Sequence, residues 1–340
     1  MIVIDGSYHE GGGQIVRTAV ALSALMEKDI KIENIRAKRS NPGLSFQHVS
    51  AINAVADLCS AKTKGIFTGS KTIEFSPGRH WNAKNIKVNI PTAGSVGLVL
   101  QTLIIATSKI DKKIEIEIKG GATFGKWAPP LTYIQTTFTK AISKLGYNIN
   151  INILRHGFYP KGCSLVCLQI QPPKPQKAIF TSFKEKENIL GLSIASSNLE
   201  NKAVASRQTE SAKNILQNSN LFGSISIEST YKDSFSTGTG ITLWTNNDMF
   251  LGTSSIGDIG KKAESVGKEA ALEMIEEYKT KACVDKHLCD QLIPFLAIRG
   301  GTIQTSQITK HTETNIWVVK KFIDVNFIIN KKNKTISTCN

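Results

Sequence analysis

Ile2-Val3-Ile4-Asp5-Gly6-Ser7-Tyr8-His9-Glu10-Gly11-Gly12-Gly13-Gln14-Ile15-Val16-Arg17 opens the chain, and its order of residue types decides the fold. A short apolar strand at 2–5 runs into three glycines and then into a helical run at 15–26. Such a turn leaves backbone N–H groups unpaired at a helix N-terminus, where an anion can sit. Glu10 directly before the glycines would repel a bare phosphate. A divalent cation between Glu10 and the phosphates removes that conflict, with Arg17 one turn along the helix as a second positive group. The alternative is a tight turn with a solvated glutamate.

Working outward, periodicity predicts strand 29–36, helix 45–59 and a hairpin around Thr68-Gly69-Ser70. The helix over 45–59 rests on the spacing of Val49, Ile52, Val55, Ala56 and Cys59. A second pass predicts strand 86–90, helix 94–107, strand 113–119, a helix after Pro130, and strands 147–153 and 164–171. Both passes read βαβαββ, offset by about 85 residues, as an internal repeat does. A third copy is expected in two pieces. Strand 178–184 begins it, and helix 287–297, strand 301–308, helix 311–323 and strands 325–330 and 333–338 complete it. Between them, 186–277 predicts a strand, helix 202–217, three strands and helix 261–279, entered through the linker-like Pro172-Pro173-Lys174-Pro175. The expected fold is therefore α/β (α+β). A large domain of three βαβαββ repeats (1–185 and 278–340) carries a small inserted α/β domain (186–277).

The chain of 340 residues has 41% hydrophobic and 20% charged residues, as ordinary globular proteins do. The apolar stretches 98–106 and 292–298 are too short to span a bilayer, and the start does not resemble a signal peptide. A cytoplasmic protein is expected. Lys and Arg number 42 against 27 Asp and Glu, a net charge of +15 with clusters at Arg36, Lys38, Arg39 and 320–334. A distributed basic excess favours a polyanionic partner such as nucleic acid. Cysteines 59, 163, 167, 283, 289 and 339 follow no disulfide framework or zinc spacing, and Cys163 and Cys167 are expected on one side of a strand.

Gly120-Gly-Ala-Thr-Phe-Gly125-Lys126 fits a P-loop pattern, but Trp127 stands where Ser or Thr should hold magnesium. Pro129 and Pro130 then block the helix a P-loop must enter. A lysine nucleophile in a K-x-D-G signature is absent, because Val3-Ile4 precedes Asp5-Gly6. A covalent nucleotide would therefore call for one of His9, His48, His80, His156, His287 or His311, since neutral imidazole attacks phosphorus near pH 7. Composition does not choose among them.

Further blocks choose. Asp5 to Arg17 is followed by Arg36-Ala-Lys-Arg39-Ser-Asn-Pro42-Gly43-Leu-Ser-Phe-Gln47-His48 and by Gly94-Ser95 with Leu100-Gln101-Thr102. Then come Gly120-Gly121 with Ala128-Pro129-Pro130, Arg155-His156-Gly157-Phe-Tyr-Pro160, His287-Leu-Cys-Asp290-Gln291-Leu and His311-Thr-Glu-Thr-Asn315-Ile. In that order they resemble the RNA 3′-terminal phosphate cyclase family over essentially the full length. One departure is Gly162-Cys163-Ser164, where the family shows a glycine triplet.

The resemblance implies ATP-dependent conversion of an RNA 3′-phosphate end to a 2′,3′-cyclic phosphate, releasing AMP and pyrophosphate. It also implies a fold of three repeats like enolpyruvyl transferase units plus one insert. By the same resemblance His311 carries AMP and Glu10 holds the metal, Mg²⁺ or Mn²⁺. Arg17, Arg36, Arg39, Gln47 and His48 line the phosphate and RNA-end site, with Arg17 and Arg39 counted as catalytic. Gln101, Pro129, Pro130, His287 and Gln291 surround the adenine. Asp290 lies in the active site, either orienting His311 or assisting the metal. A homodimer is allowed. Two alternatives are a non-catalytic relative acting in ribosomal RNA processing and an enolpyruvyl transferase-like enzyme; His311 speaks against the first and the charge of +15 against the second.

Overall fold

The structure, a computed structural model, describes residues 1–81, 86–174 and 176–339, the side chain of Cys339 excepted. Pro175 of the expected linker and the Cys339 thiol lie outside the described residues.

The first repeat consists of β1 (Ile2–Asp5), α1 (Gly13–Met26), β2 (Ile30–Glu33), α2 (Phe46–Cys59), β3 (Lys62–Lys64) and β4 (Ile73–Ser76). Its sheet runs β1-β2-β4-β3, with β1 parallel to β2 and the other pairs antiparallel. The second has β5 (Ile86–Ser95), α3 (Val96–Ala106) and β6 (Ile114–Ala122). A helical run of α4 (Leu131–Tyr133), a π turn (Ile134–Phe138) and α5 (Thr139–Ser143) leads to β7 (Ile149–Arg155) and β8 (Leu165–Ile170). The order β5-β6-β8-β7 repeats the first, again with one parallel pair.

β9 (Ala178–Phe180) begins the third. Next come β10 (Ile189–Ser196), a 3₁₀ stretch (Ser197–Lys202), α6 (Val204–Asn218), β11 (Ile225–Lys232), β12 (Thr239–Thr245), β13 (Gly252–Ile256) and α7 (Ala263–Lys279). These form a separate sheet, β11-β10-β12-β13, whose apolar cluster includes Ile189, Leu243 and Met274. The third repeat resumes with α8 (Lys286–Arg299), β14 (Gly301–Gln304), α9 (Lys310–Lys320), β15 (Asn326–Asn330) and β16 (Thr335–Cys339). Its sheet is again β9-β14-β16-β15, with β9 parallel to β14.

Alternation fixes these sheets. In β6, Ile114, Ile116 and Ile118 are buried while Glu115, Glu117 and Lys119 face out, so a slip of one residue would put three charges in the core. The crossover helices fill the centre: α1 packs on α3, and α3 touches α8. α3 is apolar almost all round and correspondingly buried. Each buried Ile or Leu contributes about 1.5–3 kcal/mol.

Several elements differ from their sequence expectations; β9 ends at Phe180 and β14 at Gln304, each four residues before its expected end. β2 stops at Glu33, because Asn34 and Arg36 take left-handed φ of 53° and 52° and turn the chain. β5 continues past Pro91 to Ser95, with a register irregularity after Ile90. Cys163 lies in a left-handed turn before β8 and not on the strand with Cys167. No helix among the described residues is long and apolar enough to cross a membrane.

Candidate active site

The glycine turn bends as its composition requires. Gly11 has φ +56°, and Gly12 caps α1 without any side-chain bond to the helix. The first turn of α1 carries no acidic residue, so its N–H groups face outward unpartnered by carboxylates. Gly13 is required by close approach: a Cβ there would lie 2.0 Å from Nε2 of His48 and 3.1 Å from a guanidinium nitrogen of Arg17. At Gly12 the nearest atom is a guanidinium nitrogen of Arg39, 3.3 Å from an added Cβ. The glycines thus let two arginines and a histidine close on the backbone.

α9 runs alongside α1 with its N-terminus beside this turn, Gln14 meeting His311 and Thr18 meeting Asn315 one turn further on. Its N-cap Thr309 accepts the Thr312 N–H at 3.1 Å, which places His311 in the first helical turn. The His311 ring lies between Gln14 and Glu10. The Gln14 amide oxygen lies 2.5 Å from Nδ1, and the Gln14 amide nitrogen donates to the His311 carbonyl at 3.0 Å. That amide oxygen only accepts, so in the neutral imidazole Nδ1 donates to it and Nε2 is the unprotonated nitrogen. Nε2 points at Glu10 Oε2, 2.9 Å away, an oxygen with no hydrogen bond to any other described residue. Two helix N-termini, those of α1 and α9, converge where anions are favoured.

The charges around His311 set its basicity. Burial lowers its pKa below the ordinary imidazole range; Glu10 opposes this, while Arg39 and Arg17 reinforce it. Burial and then Arg17 and Arg36 hold His48 well below that range, so it stays neutral. His48 Nδ1 is met by the Ser45 N–H at 3.1 Å and the Ser45 hydroxyl at 2.7 Å, and Nε2 lies 3.4 Å from Arg17. Burial brings Arg17 down to about 10, with Asp290 opposing and Arg36 adding to the fall, so it remains charged at pH 7. Asp290 is pushed well above the carboxylate range by burial and then Asp285; Arg17 opposes the shift and Glu10 adds to it.

Other expected residues fall as follows. Arg36 donates to the Gly43 carbonyl at 2.7 Å, and burial and Arg39 lower its pKa. Gln47 accepts the Ser95 N–H at 2.7 Å, so its oxygen is committed to the start of α3. Gln101 on α3 and Gln291 on α8 stand on touching helices, and each has a buried amide atom without a partner. Pro129 lies against α3, its carbonyl 3.4 Å from a Cβ built at Gly97, and the buried Pro130 caps α4. His287, exposed at the start of α8, feels His311 electrostatically and lies 4.0 Å from Glu273. The unpaired amide atoms of Gln101 and Gln291 suit a ligand with both donors and acceptors, as an adenine edge has.

His156 stands apart. It is buried, 3.1 Å from the Thr123 hydroxyl, and burial takes its pKa to about 4. The P-loop resemblance at 120–126 has no counterpart in geometry, since β6 ends at Ala122 and α4 starts only at Leu131.

Sequence reading missed two residues. Gln14 was quoted in the opening motif without a role, yet it, and not Asp290, is the residue bonded to His311 Nδ1. Asn315 donates to the Asp290 carbonyl at 2.6 Å and accepts the Thr18 hydroxyl at 3.0 Å, joining α9 to α8 and α1. The signal for it was Pro294, which has no N–H to offer the Asp290 carbonyl four residues earlier.

Among the described residues no three His, Cys, Asp or Glu side chains cluster as a metal site. Glu10 alone fits a magnesium-like ion, which commonly takes one carboxylate and completes its shell with phosphate oxygens and water.

The comparisons with known proteins agree with this geometry. A model of the family described as RNA 3′-terminal phosphate cyclase matches residues 8–329. A protein of that name from Methanococcoides burtonii is 44% identical over 337 residues, covering 99% of this chain and 98% of its own. Another, from Pyrococcus abyssi, is 44% identical over 325 residues, covering 95% and 93%. One from Methanosarcina barkeri is 44% identical over 333 residues, covering 98% and 97%. With that family model over most of the chain and relatives 44% identical over nearly its full length, this chain belongs to the RNA 3′-terminal phosphate cyclase family.

Proposed function

We propose that this protein uses ATP to convert an RNA 3′-terminal phosphate to a 2′,3′-cyclic phosphate, with AMP carried on Nε2 of His311. One observation carries the reading: Gln14 engages Nδ1 and the backbone carbonyl of His311, which leaves Nε2 directed at Glu10 where the first turns of α1 and α9 meet. The 2′-OH of the terminal ribose already neighbours the 3′-phosphate, so proximity is built into the substrate. What is lacking is a leaving group. His311 attacks the α-phosphorus of ATP and pyrophosphate departs; the RNA phosphate then takes AMP from His311; the 2′-OH finally displaces AMP. Arg17, Arg36 and Arg39 offset charge on the transferring phosphates, and neutral His48 packs beside them without adding charge. Gln101, Gln291, Pro129, Pro130 and His287 would hold the adenine.

Glu10 beside a lone pair is repulsive, so a proton or a cation must lie between Nε2 and Oε2. A divalent ion, Mg²⁺ or Mn²⁺, held by Glu10 would neutralise phosphate charge there. Glu10 turned toward it frees Nε2 of its carboxylate partner. Asp290, whose pKa burial and Asp285 raise against the pull of Arg17, would sit beside Arg17. For the architecture we take 1–185 with 278–340 as the catalytic unit and 186–277 as the insert.

The test is transfer of radioactive label from the α-phosphate of ATP. The protein should acquire an acid-labile, alkali-stable adenylate, as a phosphoramidate on imidazole is. His311→Ala should acquire none; equal labelling of that variant would remove His311 from the mechanism.

A further inference from the structure

The loop between β6 and α4 holds a residue the cyclase reading leaves without a task. Trp127 is 97% exposed, and its backbone takes a left-handed φ of 59°. A bulky residue in that region is an outlier that costs free energy, and nearly complete exposure of an indole recovers none of it through burial. The strain is held from both sides. Gly125 lies against Ser95, whose Cβ would be 3.5 Å from a Cβ built at Gly125, and the Pro129 carbonyl faces Gly97 of α3. Lys126 is paired with Asp258 at 2.6 Å, which ties the loop to the turn before α7. That turn presents Ile259, also fully exposed. An indole and an isoleucine thus stand on two loops clasped by one ion pair.

The place matters as much as the exposure. Ser95 donates its N–H to Gln47, and Gly97 is one turn before Gln101 on α3, so the loop that carries Trp127 runs beside the start of α3, where two of the expected site residues meet. Lys126 is balanced by Asp258, and the exposed Lys262 adds positive charge on the second loop, in a chain of net charge +15. A flat aromatic face beside lysines, next to a phosphate site, matches single-stranded nucleic acid, whose bases stack and whose backbone is anionic.

We propose that Trp127 stacks on an unpaired nucleobase within the last few nucleotides of the RNA, with Ile259 as a second apolar wall, and so steers the 3′-phosphate into the site. The proposal rests on the cyclase reading for the identity of the strand. Stacking accepts any base, which suits a protein that grips an end and carries no base-reading motif. Trp127 is a positioning residue here, because it touches no reacting atom.

The experiment measures affinity by fluorescence anisotropy for a short 3′-phosphorylated RNA, and for the same RNA made abasic at each of its last three positions in turn. Trp127→Ala should bind the intact RNA about tenfold more weakly, and Trp127→Phe should keep most of the affinity. At one abasic position the wild-type protein should fall to the level of Trp127→Ala, and the variant should lose nothing further there. AMP loading from ATP without RNA should be unchanged in both variants. Equal affinity of Trp127→Ala and wild type would overturn the proposal, as would an abasic penalty of the same size in both proteins. A raised KM for ATP in Trp127→Ala would instead make Trp127 a cap on the adenine. Loss of a dimer at constant RNA affinity would make it a contact between copies. Failure of the cyclase reading shows separately, as absence of AMP loading in the wild type.

Discussion

At the scale of single residues, the histidine proposed to carry AMP is held by a neighbour with no chemical role of its own. Gln14 bonds both Nδ1 and the backbone carbonyl of His311, so it fixes ring orientation and tautomer together. Gln14→Ala should slow AMP loading by about 10²-fold, the scale expected when a nucleophile loses alignment. KM for ATP should stay close to wild type, since Gln14 is not among the residues expected around the adenine. RNA supplied already adenylylated should be cyclised by this variant at nearly the normal rate, because His311 is then bypassed. Slow cyclisation of that RNA would show that Gln14 or His311 acts after AMP transfer. Gln14 was quoted in the opening motif but remained invisible as a partner of His311, because 297 residues separate the two. Local patterning sees neighbours along the chain and not across three helices. Glu10, Arg17 and His311 were legible because their types contradict a bland turn or match family blocks.

At the scale of elements, helices are placed by a few buried polar contacts as well as by apolar packing. Pro294 inside α8 deprives the Asp290 carbonyl of its helical donor, and Asn315 of α9 supplies one while receiving Thr18 of α1. Asn315→Ala leaves that carbonyl and a hydroxyl unpaired in a buried place, a cost of about 1–3 kcal/mol. The expected result is a lower denaturation midpoint together with slower AMP loading, because α9 carries His311. Asn315→Asp should rescue only the bond from Thr18. Gly13→Ala is the matching test on α1. A methyl 2.0 Å from the His48 ring cannot be accommodated without moving the ring or the turn. Phosphate-dependent steps should collapse while far-UV circular dichroism stays unchanged; full activity in Gly13→Ala would mean that the turn opens in solution. Periodicity found α1, α2, α6 and α7 to within a few residues, since their apolar faces repeat every 3.6, and α3 was found as a continuous apolar run. The π turn at Ile134–Phe138 and the extension of β5 to Ser95 had no such signature, being set by packing from other repeats.

At the scale of the whole molecule, one buried carboxyl joins the inserted sheet to the repeats. Asp285 caps α8 by accepting the N–H groups of His287 and Leu288, and it also accepts the Tyr133 hydroxyl and the Gly252 N–H of β13. Three parts of the chain that are distant in sequence meet on it. Its role was not legible, because an Asp two residues before a His reads as an ordinary N-cap. Burial raises its pKa from 3.8 to about 7, with Glu277 adding to the rise and its hydrogen bonds opposing it. The folded state therefore holds a proton that the unfolded chain releases near pH 4. Stability from this group is fully present below that pH and is lost as pH rises through about 7, by on the order of 4 kcal/mol. The buried His48 and His156, depressed in the fold, act in the opposite direction, so a variant must isolate the effect. Urea denaturation of wild type and Asp285→Asn at pH 5 and pH 8 does so. Asp285→Asn should be the less stable at pH 5, where its amide group faces the Gly252 N–H donor against donor. The gap should narrow or reverse at pH 8, because only the wild type has lost a bound proton. A gap of constant size at both pH values would mean that Asp285 is ionised throughout, and that the hydrogen bonds of α8, Tyr133 and Gly252 outweigh its burial.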